Sequence, residues 1–287
     1  PHTPLHKPDV RTRESARHVR GCASVLTPAL LRVRCSVIMV SEAYRLSGDR
    51  EWLLQHAPTI REALAFYDLY TDSAGLVHEL PFGNWEDSLL YTGARAFTNL
   101  MYLEALRRAR ELFSELGRTG DAEEMRRKSD RVYEPVMNLV SAQRDTVSVG
   151  LAALWLPAEP RVEHWIRSML EVFPDTMPPN RWPVPPPSTC CTILRILGQG
   201  GYHRDFRWSN VGCIWAAALL RRGFTEEGEE VLARFEQAIK RFGTLHEVYD
   251  AEGSVPVSRA LYGSETHFSM GIGPYLLALS LKSERRA

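Results

Sequence analysis

The sequence has no excess of either charge: 35 Lys and Arg against 35 Asp and Glu leave a formal net charge of zero over 287 residues. A broad basic face for nucleic acid and a polybasic membrane anchor are thereby excluded. No apolar run approaches the roughly 18 residues of a membrane span, and nothing signal-like follows Pro1. Cysteine is scarce. The five, Cys22, Cys35, Cys190, Cys191 and Cys213, are odd in number and show no C-x-x-C spacing. They read as reduced packing residues, and the expected compartment is cytoplasmic. Metal signatures are missing too. The nine histidines are scattered. The one H-x-x-x-H pair, His2 and His6, straddles Pro4, and no H-E-x-x-H occurs. No phosphate loop and no G-x-S-x-G elbow is present, so neither metal nor cofactor is expected. Strand signals are few; Thr146 to Leu151 alternates too briefly to carry a sheet.

What is present is ordinary globular composition, 44% apolar and 24% charged. Helical periods dominate. Tyr102, Leu106, Ala109, Phe113 and Leu116 fall on one stripe, and Gly117 stands at the helix C-cap. Asp121 and Glu124 resemble a capping box opening the next helix. The same hairpin recurs. A helix over 27–46 ends at Gly48, and Asp49 caps a second carrying Leu53, Ile60, Leu64 and Tyr67. A helix with Val211, Trp215 and Leu219 closes at Gly223, and Thr225 starts its partner. Shorter helices fit 148–156, 160–173 and 190–197, and a last one 267–281. About ten helices give an all-α class. The stretch 174–187 holds seven prolines and reads as a long loop inside one domain, 1–287, with an irregular or truncated start over 1–23. Short turns within pairs and long links between them, 71–95, 173–189, 198–208 and 243–266, suit a toroid whose long loops gather at one mouth.

Those loops hold the candidate chemistry. Trp85, Glu86 and Asp87 place two acids behind an aromatic face, where a carboxyl with a raised pKa can deliver a proton. The bland reading is a charge pair at a helix start. Tyr202, His203, Arg207 and Trp208 interleave aromatics with hydrogen-bonding groups. Glu247 lies between partly apolar neighbours, and Asp250 with Gly253 predicts a turn. Its bland reading is a salt bridge. Glu265, Thr266, His267 and Phe268 open the last helix.

In order, these segments resemble the six-hairpin glycosidases with an (α/α)6 barrel: glucoamylases, amylo-α-1,6-glucosidases, trehalases and relatives of processing α-glucosidase. The run from Ser47 to Ser88, the hairpin from Phe97 to Val132, the Tyr202 to Gly223 segment and the stretch from Gly243 to Ser280 carry the likeness. It implies an (α/α)6 toroid, here lacking its first helices, that hydrolyses an O-glycosidic, α-glucosidic bond with inversion and no cofactor. It implies Asp87 as proton donor, as in the debranching and processing members, with Glu86 the donor if the chain follows glucoamylases. Glu247 would be the base. Trp85, Tyr202, Trp208 and Tyr249 would be sugar platforms, and His203, Arg207 and His267 would contact substrate. The partner is an oligosaccharide or glycoside, with no nucleic acid or membrane. Two departures stand out: Asp205-Phe206 replaces a glycine, and Met270 stands where the family has Trp. Two alternatives remain. One is an epimerase on the same barrel using His203, His246 and His267. The other is a carbohydrate-binding protein without turnover.

Overall fold

A computed structural model describes residues 36–79, 85–86, 92–172, 203, 206–259 and 262–285. The expectations for 27–35, the proline stretch, the helix at 190–197 and four cysteines fall outside these residues. Among the described residues nine helices carry the fold. They are α1 (36–47), α2 (Arg50–Asp68), α3 (Ala96–Glu115), α4 (Thr119–Gln143), α5 (Thr146–Trp155), α6 (Pro160–Val172), α7 (Ser209–Arg222), α8 (Thr225–Phe242) and α9 (Ser269–Glu284). Three antiparallel pairs of two-residue strands accompany them: β1 (His78–Glu79) with β2 (Gly93–Ala94), β3 (Arg207–Trp208) with β4 (Val248–Tyr249), and β5 (Ser258–Arg259) with β6 (Tyr262–Gly263). The class is all-α, as the sequence predicts.

Burial sorts the helices into two layers. In α3, α5 and α7, 13 of 20, 8 of 10 and 11 of 14 residues are buried. In α2, α4, α6 and α8 only 5 of 19, 7 of 25, 4 of 13 and 4 of 18 are. The first set is an inner layer buried over most of its length; the second buries one face only and covers it. Contacts follow the same order: α3 meets α5, α5 meets α7, and α7 meets α9, each inner helix also packing on its own outer partner. Ion pairs lace the outer layer. Lys128 of α4 reaches Asp68 of α2 at 2.8 Å, and Arg161 of α6 reaches Glu134 of α4 at 2.9 Å.

Hairpin turns are built as the glycines predict. Gly117 takes φ +72°, its N–H bonding Ser114 O while the Arg118 N–H bonds Phe113 O, a Schellman closure. Asp49 caps α2 by accepting from the Trp52 N–H at 2.9 Å. The capping box at Asp121 is corrected. Helix α4 starts earlier, at Thr119, and Asp121 instead accepts from Arg118 Nε at 2.6 Å and from Arg61 of α2. The alternation over Thr146–Leu151 belongs to a helix, since a segment buried on every side keeps no amphipathic period. The links between pairs are not uniformly long: α4 passes to α5 through Arg144 and Asp145 alone, Asp145 capping α5 through the Ser148 N–H at 2.8 Å. Cys213 is fully buried in α7, and burial pushes its thiol up, as a packing cysteine requires.

Candidate functional site

Described residues of the α2–α3, α6–α7 and α8–α9 links meet one another, through Trp85 with His203 and Trp208 and through the β3–β4 pair, and predicted site residues come from all three. The first link is pinned at its base. Asp72 folds a tight turn by accepting from the Ala74 and Leu76 N–H groups, both at 2.9 Å, and pairs with His78 at 2.9 Å. Desolvation, the largest single effect, pushes the Asp72 carboxyl up, but the hydrogen bonds from His78 and the Leu76 and Ala74 N–H groups together outweigh it and hold Asp72 below the usual carboxylate range. Asn99 on α3 then clamps Val77 from both sides: its Oδ1 accepts from the Val77 N–H at 2.7 Å and its Nδ2 donates to Val77 O at 2.9 Å. Gln143 of α4 donates to Ala94 O and accepts from the Ala96 N–H. The β1–β2 pair closes above these tethers, so the segment carrying Trp85 and Glu86 leaves and returns through one narrow base.

Above that base three rings meet. His203 stacks on Trp208 with centroids 4.6 Å apart and planes 11° apart. Trp85 stands edge-on to both, at 5.3 Å from His203 and 5.5 Å from Trp208. Edge-to-face and offset contacts of this kind fix rings beyond what area burial does. The Trp85 Nε1–H is buried and has no acceptor among the described residues. Glu86, next to Trp85, is 2% exposed. Glu86 is thus a buried carboxylate in the same segment as Trp85; Asp87 and Tyr202 lie outside the described residues.

Glu247 sits across the β3–β4 ribbon junction, half-buried and fixed by its own backbone. Its N–H donates to Glu265 O at 2.8 Å, and its carbonyl accepts from the Ser209 N–H, the first residue of α7, at 3.0 Å. The Tyr262 hydroxyl donates to its carboxylate. The expected Asp250 turn is present: Gly253, at φ +71°, donates to Asp250 O at 2.9 Å.

Other expected contacts take different places. Tyr249 is 1% exposed; its ring packs on Phe235 and His246, its hydroxyl accepts from the His246 N–H at 3.2 Å, and burial raises its pKa. Arg207 and Trp208 are successive strand residues and point to opposite faces. Arg207 therefore lines a pocket away from the three rings. His267 is exposed at φ +56°, its N–H donating to Thr244 Oγ1 at 3.1 Å. His246 packs against Phe242 and Tyr249. The three histidines of the epimerase reading thus have different surroundings. Sequence reasoning missed Asn99, Gln143, Tyr262 and Ser209, which position the site from helices and loops with no motif spacing. Among the described residues no cluster of three or more His, Cys, Asp or Glu is arranged to hold a metal ion, and no helix is long and apolar enough to cross a membrane.

No family profile matches the chain, and no curated protein does. Solved structures do. A rhamnosidase from Klebsiella oxytoca with rhamnose bound superposes with a TM-score of 0.55 at 17% identity over 87% of this chain. The fold is glycosidase-like. A GH78 family rhamnosidase of Bacillus sp. GL1 gives a TM-score of 0.53 at 14% identity over 85% of the chain. The chain spans 46% and 25% of the length of these two proteins. What this chain shares with both neighbours is the helical fold.

Proposed function

We propose that the chain is the helical domain of a glycoside hydrolase that cleaves an O-glycosidic bond by an inverting, two-carboxylate mechanism. The observation that carries this is the meeting of Trp85, His203 and Trp208, with the buried Glu86 next to Trp85 in the chain, on a fold shared with rhamnosidases. Glu247 is the base that takes a proton from the attacking water. Its backbone is stitched to Ser209 and Glu265, and the Tyr262 hydroxyl orients its carboxylate. The acid comes from the segment after Trp85: Asp87 in the reading carried from the sequence, Glu86 if the buried carboxyl proves to face the bond. It protonates the leaving oxygen while water enters from the other side, which calls for carboxyl groups roughly 6.5–9.5 Å apart.

The substrate is a terminal deoxyhexoside of the rhamnoside kind. That sugar class is the one bound in the Klebsiella oxytoca neighbour. The α-glucoside implied by the sequence resemblance is the competing arm of the same assay. Release of nitrophenol from the α-rhamnoside and the α-glucoside, with proton NMR of the first anomer formed, tests the whole reading. Glu247→Gln is expected to lower kcat by roughly 10²–10⁴-fold with the melting curve unchanged. Turnover retained in the folded variant, or a first product of retained configuration, overturns it.

A further inference from the structure

Glu247 leads into a strand pairing that is opened at one rung. After β4 the chain turns at Gly253 and runs back along it: Tyr249 faces Pro256, and the Asp250 N–H donates to Val255 O at 2.9 Å. In an antiparallel ladder every second opposite pair exchanges both of its N–H···O bonds. By this register Val248 and Val257 are such a pair, two residues on from Asp250 and Val255. The Val257 N–H donates to Val248 O at 3.1 Å, but the Val248 N–H donates instead to Ser264 Oγ at 2.9 Å. The Val257 carbonyl in turn accepts from the Ser264 N–H at 2.8 Å.

Ser264 thus stands in the opened rung. Three hydrogen bonds close a ring through Val248, Val257 and Ser264, and the Ser264 hydroxyl is the one side-chain group in it. Val248 is fully buried and Val257 is 6% exposed, so a lost bond is not replaced by solvent. A residue without a short acceptor at this position leaves the Val248 N–H unpaired.

The same segment grips Glu247 on both sides. Tyr262 lies two residues before Ser264, and on an extended stretch such residues share a side. The Tyr262 hydroxyl donates to the Glu247 carboxylate, Ser264 Oγ accepts from the peptide N–H that follows Glu247, and Glu265 O accepts from the Glu247 N–H at 2.8 Å. We infer that Ser264 is a positioning residue for Glu247: its hydroxyl fixes the peptide that decides where the carboxylate meets Tyr262. That Glu247 is a base rests on the hydrolase reading; its placement against Tyr262 does not. On that reading the placement matters, since a misplacement of about 1 Å can cost about 10²-fold in rate.

Threonine and valine have the same shape and differ by the hydroxyl, so Ser264→Thr and Ser264→Val isolate the bond. A phenol proton donated to a carboxylate gives a slowly exchanging downfield line in proton NMR, and its absence from Tyr262→Phe assigns it. The line is expected in the native chain and in Ser264→Thr, and is expected to vanish in Ser264→Val. Ser264→Ala, which adds no bulk, should match Ser264→Val. With the nitrophenyl α-rhamnoside and α-glucoside, Ser264→Val is expected to lower kcat by about tenfold to a hundredfold with KM little changed, and Ser264→Thr to restore it. Residues that act as a unit are not additive, so Ser264→Val added to Glu247→Gln should cost nothing further in kcat. A line missing from the native chain, a line kept in folded Ser264→Val or Ser264→Ala, or a full further loss on top of Glu247→Gln overturns the inference. The expected NMR pattern with neither glycoside turned over supports Ser264 and overturns the hydrolase reading instead.

Discussion

Asn99 shows how much of the site depends on one side chain outside it. It is fully buried in α3, and both backbone groups of Val77 bond to its amide. Asn99→Ala leaves a buried N–H and a buried carbonyl without partners, at about 1–3 kcal/mol each. The expected result is a lower urea midpoint with an unchanged m-value, accompanied by weaker substrate binding as the Trp85 segment loses its base. Tyr262 acts on the other side. On the proposed mechanism Tyr262→Phe removes the donor that orients Glu247. It is expected to lower kcat about tenfold, less than Glu247→Gln does, with KM little changed. A rise in KM with kcat little changed in Tyr262→Phe would instead give the tyrosine a role in substrate binding. Residues of this kind had no legible signature in the sequence. Trp85, Glu86, His203 and Glu247 stood out because their types suit sugar chemistry, whereas a clamp such as Asn99 looks like any polar residue near a helix start.

Among the elements, α7 is the one on which three others rest, and each approaches it through a glycine. A Cβ on Gly150 of α5 would fall 2.8 Å from Ile214 Cγ2, and one on Gly271 of α9 2.5 Å from Ser209 Oγ. On Gly228 of α8 it would fall 2.8 Å from Leu220 Cγ and 3.1 Å from the Leu220 backbone nitrogen. Because backbone cannot move aside as a side chain can, Gly228→Ala is expected to destabilise by about 1–3 kcal/mol. Gly120, in the first turn of α4 with nothing within 4 Å of an added Cβ, is the control. There Gly→Ala is expected to stabilise by about 0.4–1 kcal/mol, and denaturant titration of the two variants reads the contrast. The contact between α4 and α6 is instead electrostatic. Hydrogen bonds from Arg161, and to a lesser degree from Tyr133, hold Glu159 down at about 2. Its folded value lies below its ordinary one. Its contribution is therefore complete above the ordinary carboxylate range and is lost as pH falls from there toward about 2. Glu159→Gln should flatten that acid limb in thermal melts between pH 5 and about 2. Outer helices were legible because one face is polar. The inner α5 was legible as a short helix over 148–156 but not as an amphipathic one, since eight of its ten residues are buried and the apolar period vanishes.

At the scale of the molecule, the hairpin grammar was legible in the sequence because the glycine turns and short connections mark it locally. The ribbon that sends Arg207 away from Trp208 was not legible. A two-residue strand leaves no pattern to read, yet its period of two decides which side chain faces the rings. The inner and outer layers also differ in kind: apolar contact surrounds α7, while α2 is tied to α4 through Lys128–Asp68 and the Arg61 pairs with Asp121 and Glu124. The outer helices lean mainly on one or two neighbours along the chain, whereas α7 is held by three, so opening one margin need not open the middle. Amide hydrogen exchange would turn that arrangement into a sequence of times. The amides of α7 should exchange only when the whole molecule unfolds. Those of α2 should exchange sooner, and sooner still at high salt, where its ion pairs are screened and the buried neighbours of α7 are not.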